Sequence, residues 1–218
     1  MKSVKDSIIV LDDLVPKHVQ DSLEQLCMSG HFPWYFNQSS NYTSKSNRNN
    51  SIEDYTKMSE ISSGIDVPQF IHSVYHHQHQ KDSQFLVAFN SLLCCIPASI
   101  DTLLRIKLNL NYSQTFDTTE TYSIPHVDFV SVDNLTTLIY YVNDSDGDTI
   151  IFNEKRSTGD LPNCDKLTIK QRITPKKGRF VMFDGSYLHA GNFPSGESPR
   201  IVVNINIIPH KVFTVVEK

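Results

Sequence analysis

From residue 104 to residue 208 the chain is cut into short blocks by X–Gly pairs: Asp146-Gly147, Thr158-Gly159, Lys177-Gly178, Asp184-Gly185 and Ser195-Gly196. Glycine takes the positive φ that tight turns demand, so such pairs between apolar blocks mark reversals of the chain. Eight strands are predicted: Leu104–Tyr112, Tyr122–Phe129, Thr136–Asn143, Asp148–Asn153, Leu167–Ile173, Arg179–Phe183, Tyr187–Ala190 and Arg200–Ile208. Many short strands at this spacing satisfy their edges in a jelly roll or a similar double sheet.

The first half reads differently. Ser7–Leu11 is a short strand. Pro16–Met28 opens with proline, carries Val19, Leu23, Leu26 and Cys27 at helical spacing, and is followed by Gly30. His31–Phe36 holds an aromatic cluster expected to dock on the core. Asn37–Asp54 is rich in Ser and Asn, with little to bury, and is expected to be a long loop or lid. Gln69–His79 reads as a strand and Ser83–Ile96 as a helix ended by Pro97; a second short helix is expected over Ser99–Leu104. The fold class is α+β, mainly β: a jelly-roll core over 104–210, with the N-terminal helices of a supporting region, 1–103, packed on its major sheet in one domain of 218 residues.

Charge narrows the function. Twenty basic residues against 24 acidic ones give a net charge of −4, the wrong sign for a general nucleic-acid binder. No apolar run reaches the roughly 18 residues of a membrane span, and Met1–Val10 reads as a strand rather than a secretion signal. Cys27, Cys94, Cys95 and Cys164 form no Cys-x-x-Cys pair and read as reduced, buried thiols of a cytoplasmic protein.

Two strands reveal their faces. In Leu104–Tyr112, Lys107, Asn109 and Asn111 lie opposite Ile106, Leu108 and Leu110. In the last strand, Arg200, Val202, Asn204 and Asn206 lie opposite Ile201, Val203, Ile205 and Ile207. The aliphatic faces are expected under the helices and the Asn faces around a polar interior cavity; a plain solvent-facing side is the alternative. In Pro125-His126-Val127-Asp128-Phe129, His126 and Asp128 stand at i and i+2 and point to one side. His189 and Arg200 follow later in the chain. Two imidazoles and a carboxylate make the facial triad of non-haem Fe(II) oxygenases, which leaves coordination positions open.

The order His-x-Asp, distal His, then Arg some ten residues later resembles the Fe(II)/2-oxoglutarate-dependent dioxygenases, specifically their prolyl 4-hydroxylase-like branch. Tyr140-Tyr141-Val142-Asn143, Gly147-Asp148-Thr149 with Phe152, and Lys177-Gly178-Arg179-Phe180-Val181-Met182-Phe183 extend the likeness. The cluster around Trp34 is similar to that of oxygenases from marine phages and bacteria. The resemblance implies that His126, Asp128 and His189 bind Fe(II) and that Arg200 pairs with the distal carboxylate of the cosubstrate 2-oxoglutarate. Tyr141, Asn204, Asn109 and Asn111 would complete the cosubstrate site. It implies a hydroxylase consuming O₂ and releasing succinate and CO₂, with ascorbate as a candidate reductant. Its substrate would be a small molecule, a peptide or a protein, with peptidyl proline suggested by analogy. The alternatives are a nucleic-acid demethylase of the same chemistry and a non-catalytic jelly-roll binding module. Oligomeric state stays open.

Overall fold

The computed structural model describes residues 2–3, 7–39, 58, 60–62, 64–78, 83–113, 121–130, 132–156, 162, 165–210 and 214–215. The described strands in chain order are β1 (Lys2–Ser3), β2 (Ile9–Leu11), β3 (Tyr35–Asn37), β4 (Gln69–His76), β5 (Ile100–Asn111), β6 (Thr136–Tyr141), β7 (Thr149–Lys155), β8 (Ile169–Ile173), β9 (Phe180–Asp184), β10 (Tyr187–Gly191), β11 (Arg200–Pro209) and β12 (Thr214–Val215). Helices α1 (Lys17–Met28) and α2 (Leu86–Cys95) come before β5. Seven strands form one sheet, ordered β2-β9-β6-β11-β5-β4-β3; β10-β7-β8 form a second, and β1 pairs with β12. This is the antiparallel jelly-roll architecture expected.

The centre of the large sheet is the β5–β11 pair, which runs from Arg200 opposite Asn111 to Pro209 opposite Ile100, with register shifts after Asn206 and after Ile208. Alternation assigns its two sides. Ile106, Leu108, Leu110, Ile201, Val203, Ile205 and Ile207 are buried against Leu23 and Cys27 of α1 and Phe89 and Leu92 of α2. Each such side chain contributes roughly 1.5–3 kcal/mol of burial, which clamps the helices to this face. On the opposite face Ile139, Tyr141 and Val202 pack against Ile151, Ile173, Phe183 and Tyr187, joining the two sheets at one end. The rest of that face carries the polar residues.

Four expectations need correction. Ser99–Leu104 is no helix: Pro97 lies just beyond α2, and Ile100, Thr102 and Leu103 pair with Pro209, Ile208 and Ile207 of β11. Tyr122–Phe129 is no continuous strand. Tyr122, Ser123 and His126 make isolated bridges, and Pro125 has no N–H to extend the ladder. Cys94 is exposed at the α2 surface, whereas Cys27 is buried. The aromatic cluster docks only in part: Phe32 is buried, while Tyr35 and Phe36 of edge strand β3 are 60% and 64% exposed. Cys164 and residues 40–54 of the expected lid lie outside the described residues. Among those described, no helix is long and apolar enough to cross a membrane.

Candidate metal centre and cosubstrate cleft

His126 and His189 face each other across an antiparallel bridge, each backbone N–H donating to the other's carbonyl at 3.0 Å. Their rings lie 4.7 Å apart. Each Nδ1 sits 3.2 Å from the carbonyl two residues earlier, that of Ile124 or Tyr187. A carbonyl can only accept, so Nδ1 carries the proton and each Nε2 presents a lone pair, the form a metal takes. Those nitrogens lie 4.0 Å (His126) and 3.7 Å (His189) from the two oxygens of Asp128, and the three ligand atoms fall within 4.8 Å of one another.

The Nε2 of His189 is buried and has no hydrogen-bond partner among the described residues. A polar atom stripped of water without a partner costs about 1–3 kcal/mol. A divalent cation held by the three side chains supplies that missing partner, so the donor set fits the facial triad. Burial, the neighbouring His189 ring and Lys107 push the His126 imidazole down to about 3, against the opposing pull of Asp128. His126 is therefore neutral and ready to ligate throughout the neutral range.

Asp128 is gripped from the sheet behind it. Arg105 Nη2 donates to Oδ1; Asn204 Nδ2 reaches both oxygens at 3.1 and 3.0 Å; Asn206 Nδ2 reaches Oδ2 at 2.9 Å. Arg105 is itself braced by Asn206 Oδ1 at 3.0 Å and lies over the Phe129 ring at 5.2 Å. Burial alone would raise the Asp128 carboxyl. The Arg105 charge, both imidazoles and the Asn206 hydrogen bond outweigh it, and the net shift is downward. A carboxylate fixed in one orientation and kept ionised is what a metal ligand requires.

A partly open cleft lies in front of the histidines. Its walls include His126, His189, Asn109, Asn111, Asn204 and Arg200. The Asn faces of β5 and β11 thus line a polar interior, and the solvent-facing alternative is excluded. Arg200 is 5% exposed. Its Nε donates to Gly147 O and its Nη2 to Thr149 Oγ1, both at 2.7 Å. A Cβ on Gly147 would stand 2.9 Å from Arg200 Cδ and 2.8 Å from Asn192 O, so only glycine leaves room for this guanidinium stem. Burial lowers the Arg200 pKa from its ordinary value, though a guanidinium stays charged. Among the described residues no carboxylate pairs with it.

Tyr141 does not line the cleft. Its hydroxyl lies behind Thr149 and donates to the same Oγ1 at 2.6 Å, so it reaches the cleft only through Thr149. Asn109 Nδ2 donates to Gln69 Oε1 at 3.1 Å, and the Oδ1 atoms of Asn109 and Asn204 are buried without partners. Asn204 thus turns its amide nitrogen to the metal ligand while remaining on the cleft wall. Sequence reasoning did not single out Arg105 or Gln69, and quoted Thr149 only as part of the Gly147-Asp148-Thr149 motif, with no contact assigned to it. Extending the alternation of Lys107, Asn109 and Asn111 back by two residues would have found Arg105. His72 bonds Pro33 O and Ser83 Oγ, both at 2.7 Å. His76 and His77 stack on each other 5.2 Å apart beside Phe129.

No curated protein sequence matches the chain. Solved structures do. A prolyl hydroxylase from Trichoplax adhaerens, in complex with a hypoxia inducible factor oxygen degradation domain peptide fragment, aligns at TM-score 0.53 and 13% identity, over 92% of this chain and 83% of that one. The non-heme alpha ketoglutarate dependent carbocyclase SnoK from nogalamycin biosynthesis aligns at 0.57 and 10%, over 92% and 79%. AviO1 from Streptomyces viridochromogenes aligns at 0.56 and 10%, over 98% and 94%. At these identities the likeness establishes the fold. The sequence pattern of the 2OG-Fe(II) oxygenase superfamily matches residues 110–208, the stretch that holds His126, Asp128, His189 and Arg200. That stretch is similar to the 2OG-Fe(II) oxygenase superfamily over somewhat less than half of the chain, and together with the facial-triad-like cluster it supports dioxygenase-type catalysis.

Proposed function

We propose that the protein is an Fe(II)- and 2-oxoglutarate-dependent hydroxylase in which Arg200 binds the distal carboxylate of the cosubstrate. The observation that supports this is a buried guanidinium, without an acidic partner among the described residues, on the wall of the cleft that His126 and His189 also line. An unpaired buried cation is costly, and a dicarboxylate bound by its far end offsets that cost. Thr149 Oγ1 accepts from both Arg200 and Tyr141, which leaves its own proton free for the same carboxylate. Tyr141 then positions Thr149 rather than touching the cosubstrate.

His126, Asp128 and His189 would hold Fe(II). When bound, the iron supplies the O₂ activation and the oxidising power that no side chain has. The chain's own residues orient and exclude. Arg105, Asn204 and Asn206 fix the Asp128 carboxylate, and the backbone carbonyls of Ile124 and Tyr187 fix the imidazole tautomers. The unpartnered Oδ1 of Asn109 offers an acceptor at the cleft wall.

Hydroxylation of a prolyl residue in a peptide or protein is the reading by analogy with the prolyl hydroxylase. The carbocyclase on the same fold shows that the scaffold alone does not select the outcome. A nucleic-acid substrate fits poorly with a net charge of −4. The reading is tested by measuring succinate release from 2-oxoglutarate with and without Fe(II). Iron-dependent release that disappears in His189→Ala supports it; no release at any iron concentration points to the binding module instead.

A further inference from the structure

Lys107 is a charge that the proposed chemistry does not use. It lies on the cleft side of β5, between Arg105, which grips Asp128, and Asn109, which lines the cleft. Across the ladder it stands opposite Asn204 of β11 and Ser73 of β4. Asn109 and Asn204 are on the cleft wall, whereas Lys107 stands beside that wall and not in it. The residue is half-buried, yet among the described residues its ammonium makes no hydrogen bond or ion pair.

This placement is expensive. The nearby carboxylate, Asp128, is already bonded by Arg105, Asn204 and Asn206. Burial, followed by repulsion from Arg105, lowers the Lys107 pKa to about 8 against the pull of Asp128, so the group is still mainly protonated at neutral pH. An apolar side chain in the same slot would avoid the desolvation of an unpaired cation. A point charge with three donors is instead suited to an arriving oxyanion.

In the reading above the far end of the cosubstrate belongs to Arg200, not to Lys107. Arg200 pairs with Asn111, and Lys107 lies four residues further along β5, which at about 3.3 Å per residue places the two cations some 13 Å apart at the backbone. The Arg200 side chain also turns towards Gly147 and Thr149, away from Arg105 and Asp128.

We infer that Lys107 binds an oxyanion group, a carboxylate or a phosphoryl group, carried by the substrate to be oxidised. This rests on the hydroxylase reading above and adds the chemical class of substrate: an anionic molecule, or a peptide with an acidic group near the oxidised carbon, rather than a neutral one.

The test uses the full chain loaded with Mn(II) and 2-oxoglutarate and melted in sodium acetate, sodium phosphate or sodium chloride at equal ionic strength. Acetate or phosphate at several times its dissociation constant should raise the wild-type midpoint over chloride by roughly 2–4 °C. Lys107→Gln and Lys107→Met should lose that difference, and Lys107→Arg should keep most of it. A response to acetate identifies a carboxylate group on the substrate; a response to phosphate alone identifies a phosphoryl group. No response in wild type, or an equal one in Lys107→Gln, overturns the inference. So does a response that appears only without 2-oxoglutarate, because the lysine would then serve the cosubstrate. Failure of the Mn(II)-loaded protein to bind 2-oxoglutarate would strike the hydroxylase reading instead, and the Lys107-dependent shift is still read in its absence.

Discussion

Replacing Arg200 by alanine separates cosubstrate binding from metal binding. The guanidinium is buried, bonded among the described residues to the neutral oxygens of Gly147 and Thr149, and is not one of the three metal ligands. If it pairs with the distal carboxylate, Arg200→Ala leaves that carboxylate in a desolvated pocket without its countercharge. Truncating one member of such a pair costs about 2–5 kcal/mol. At about 1.4 kcal/mol per tenfold, the dissociation constant of 2-oxoglutarate should rise from roughly 30-fold to a few thousandfold. Arg200→Lys should recover part of the loss, since it keeps the charge and gives up the fork. Calorimetric titration of 2-oxoglutarate into Mn(II)-loaded protein reads the first quantity, and titration of Mn(II) alone reads the second, which should change little. An unchanged 2-oxoglutarate affinity in a folded Arg200→Ala protein would refute the reasoning. Arg200 would then serve to tie the Gly147 turn to β11.

Tyr141→Phe removes one of the two donors to Thr149 Oγ1 and leaves the Arg200 contact in place; at about 0.5–1.5 kcal/mol per hydrogen bond, 2-oxoglutarate affinity should fall roughly 2- to 10-fold. Thr149→Val should cost more, and the reverse order in the same titration would remove the relay. Asp128→Ala leaves the Arg105 cation, 15% exposed at its side chain, without its carboxylate. A loss of about 3 kcal/mol, at roughly 2–4 °C per kcal/mol, should lower the melting midpoint by about 6–12 °C. His126→Ala, whose ring accepts no such cation, should lower it less. Acid should destabilise the metal-free protein through two groups. His126, pushed down to about 3 when folded, binds a proton in the unfolded chain from about pH 6.5 downward. Its contribution is therefore complete above that pH and declines towards pH 3. The lowered Asp128 carboxyl contributes above its unfolded value near 3.9 and is lost as pH falls through its folded value. Melting from pH 8 to pH 4 should show the decline, and His126→Gln should flatten the limb between 6.5 and 4.

The sequence by itself determined the strand periods, the two helices and the order His126, Asp128, His189, Arg200. These depend on local rules: alternation sends i and i+2 to one side, and glycine and proline mark where the chain turns. The facing of β5 and β11 was legible for the same reason. Only the tertiary structure decided what each polar residue touches. Arg105 and Asn206 meet Asp128 because the β5–β11 register brings together residues 101 positions apart. No local pattern encodes that register. Tyr141 has the residue type and strand expected of a cosubstrate donor and shares a face with Ile139 on the cleft wall, yet its hydroxyl ends on Thr149, which lines the cleft in its place. Ile100–Leu103 became strand because the end of β11 offered hydrogen-bond partners there, and an available ladder outweighs a weak helical preference. Spacing along the chain could nominate the metal ligands. The partners that hold them ionised and oriented came only from the packing of distant strands against one another.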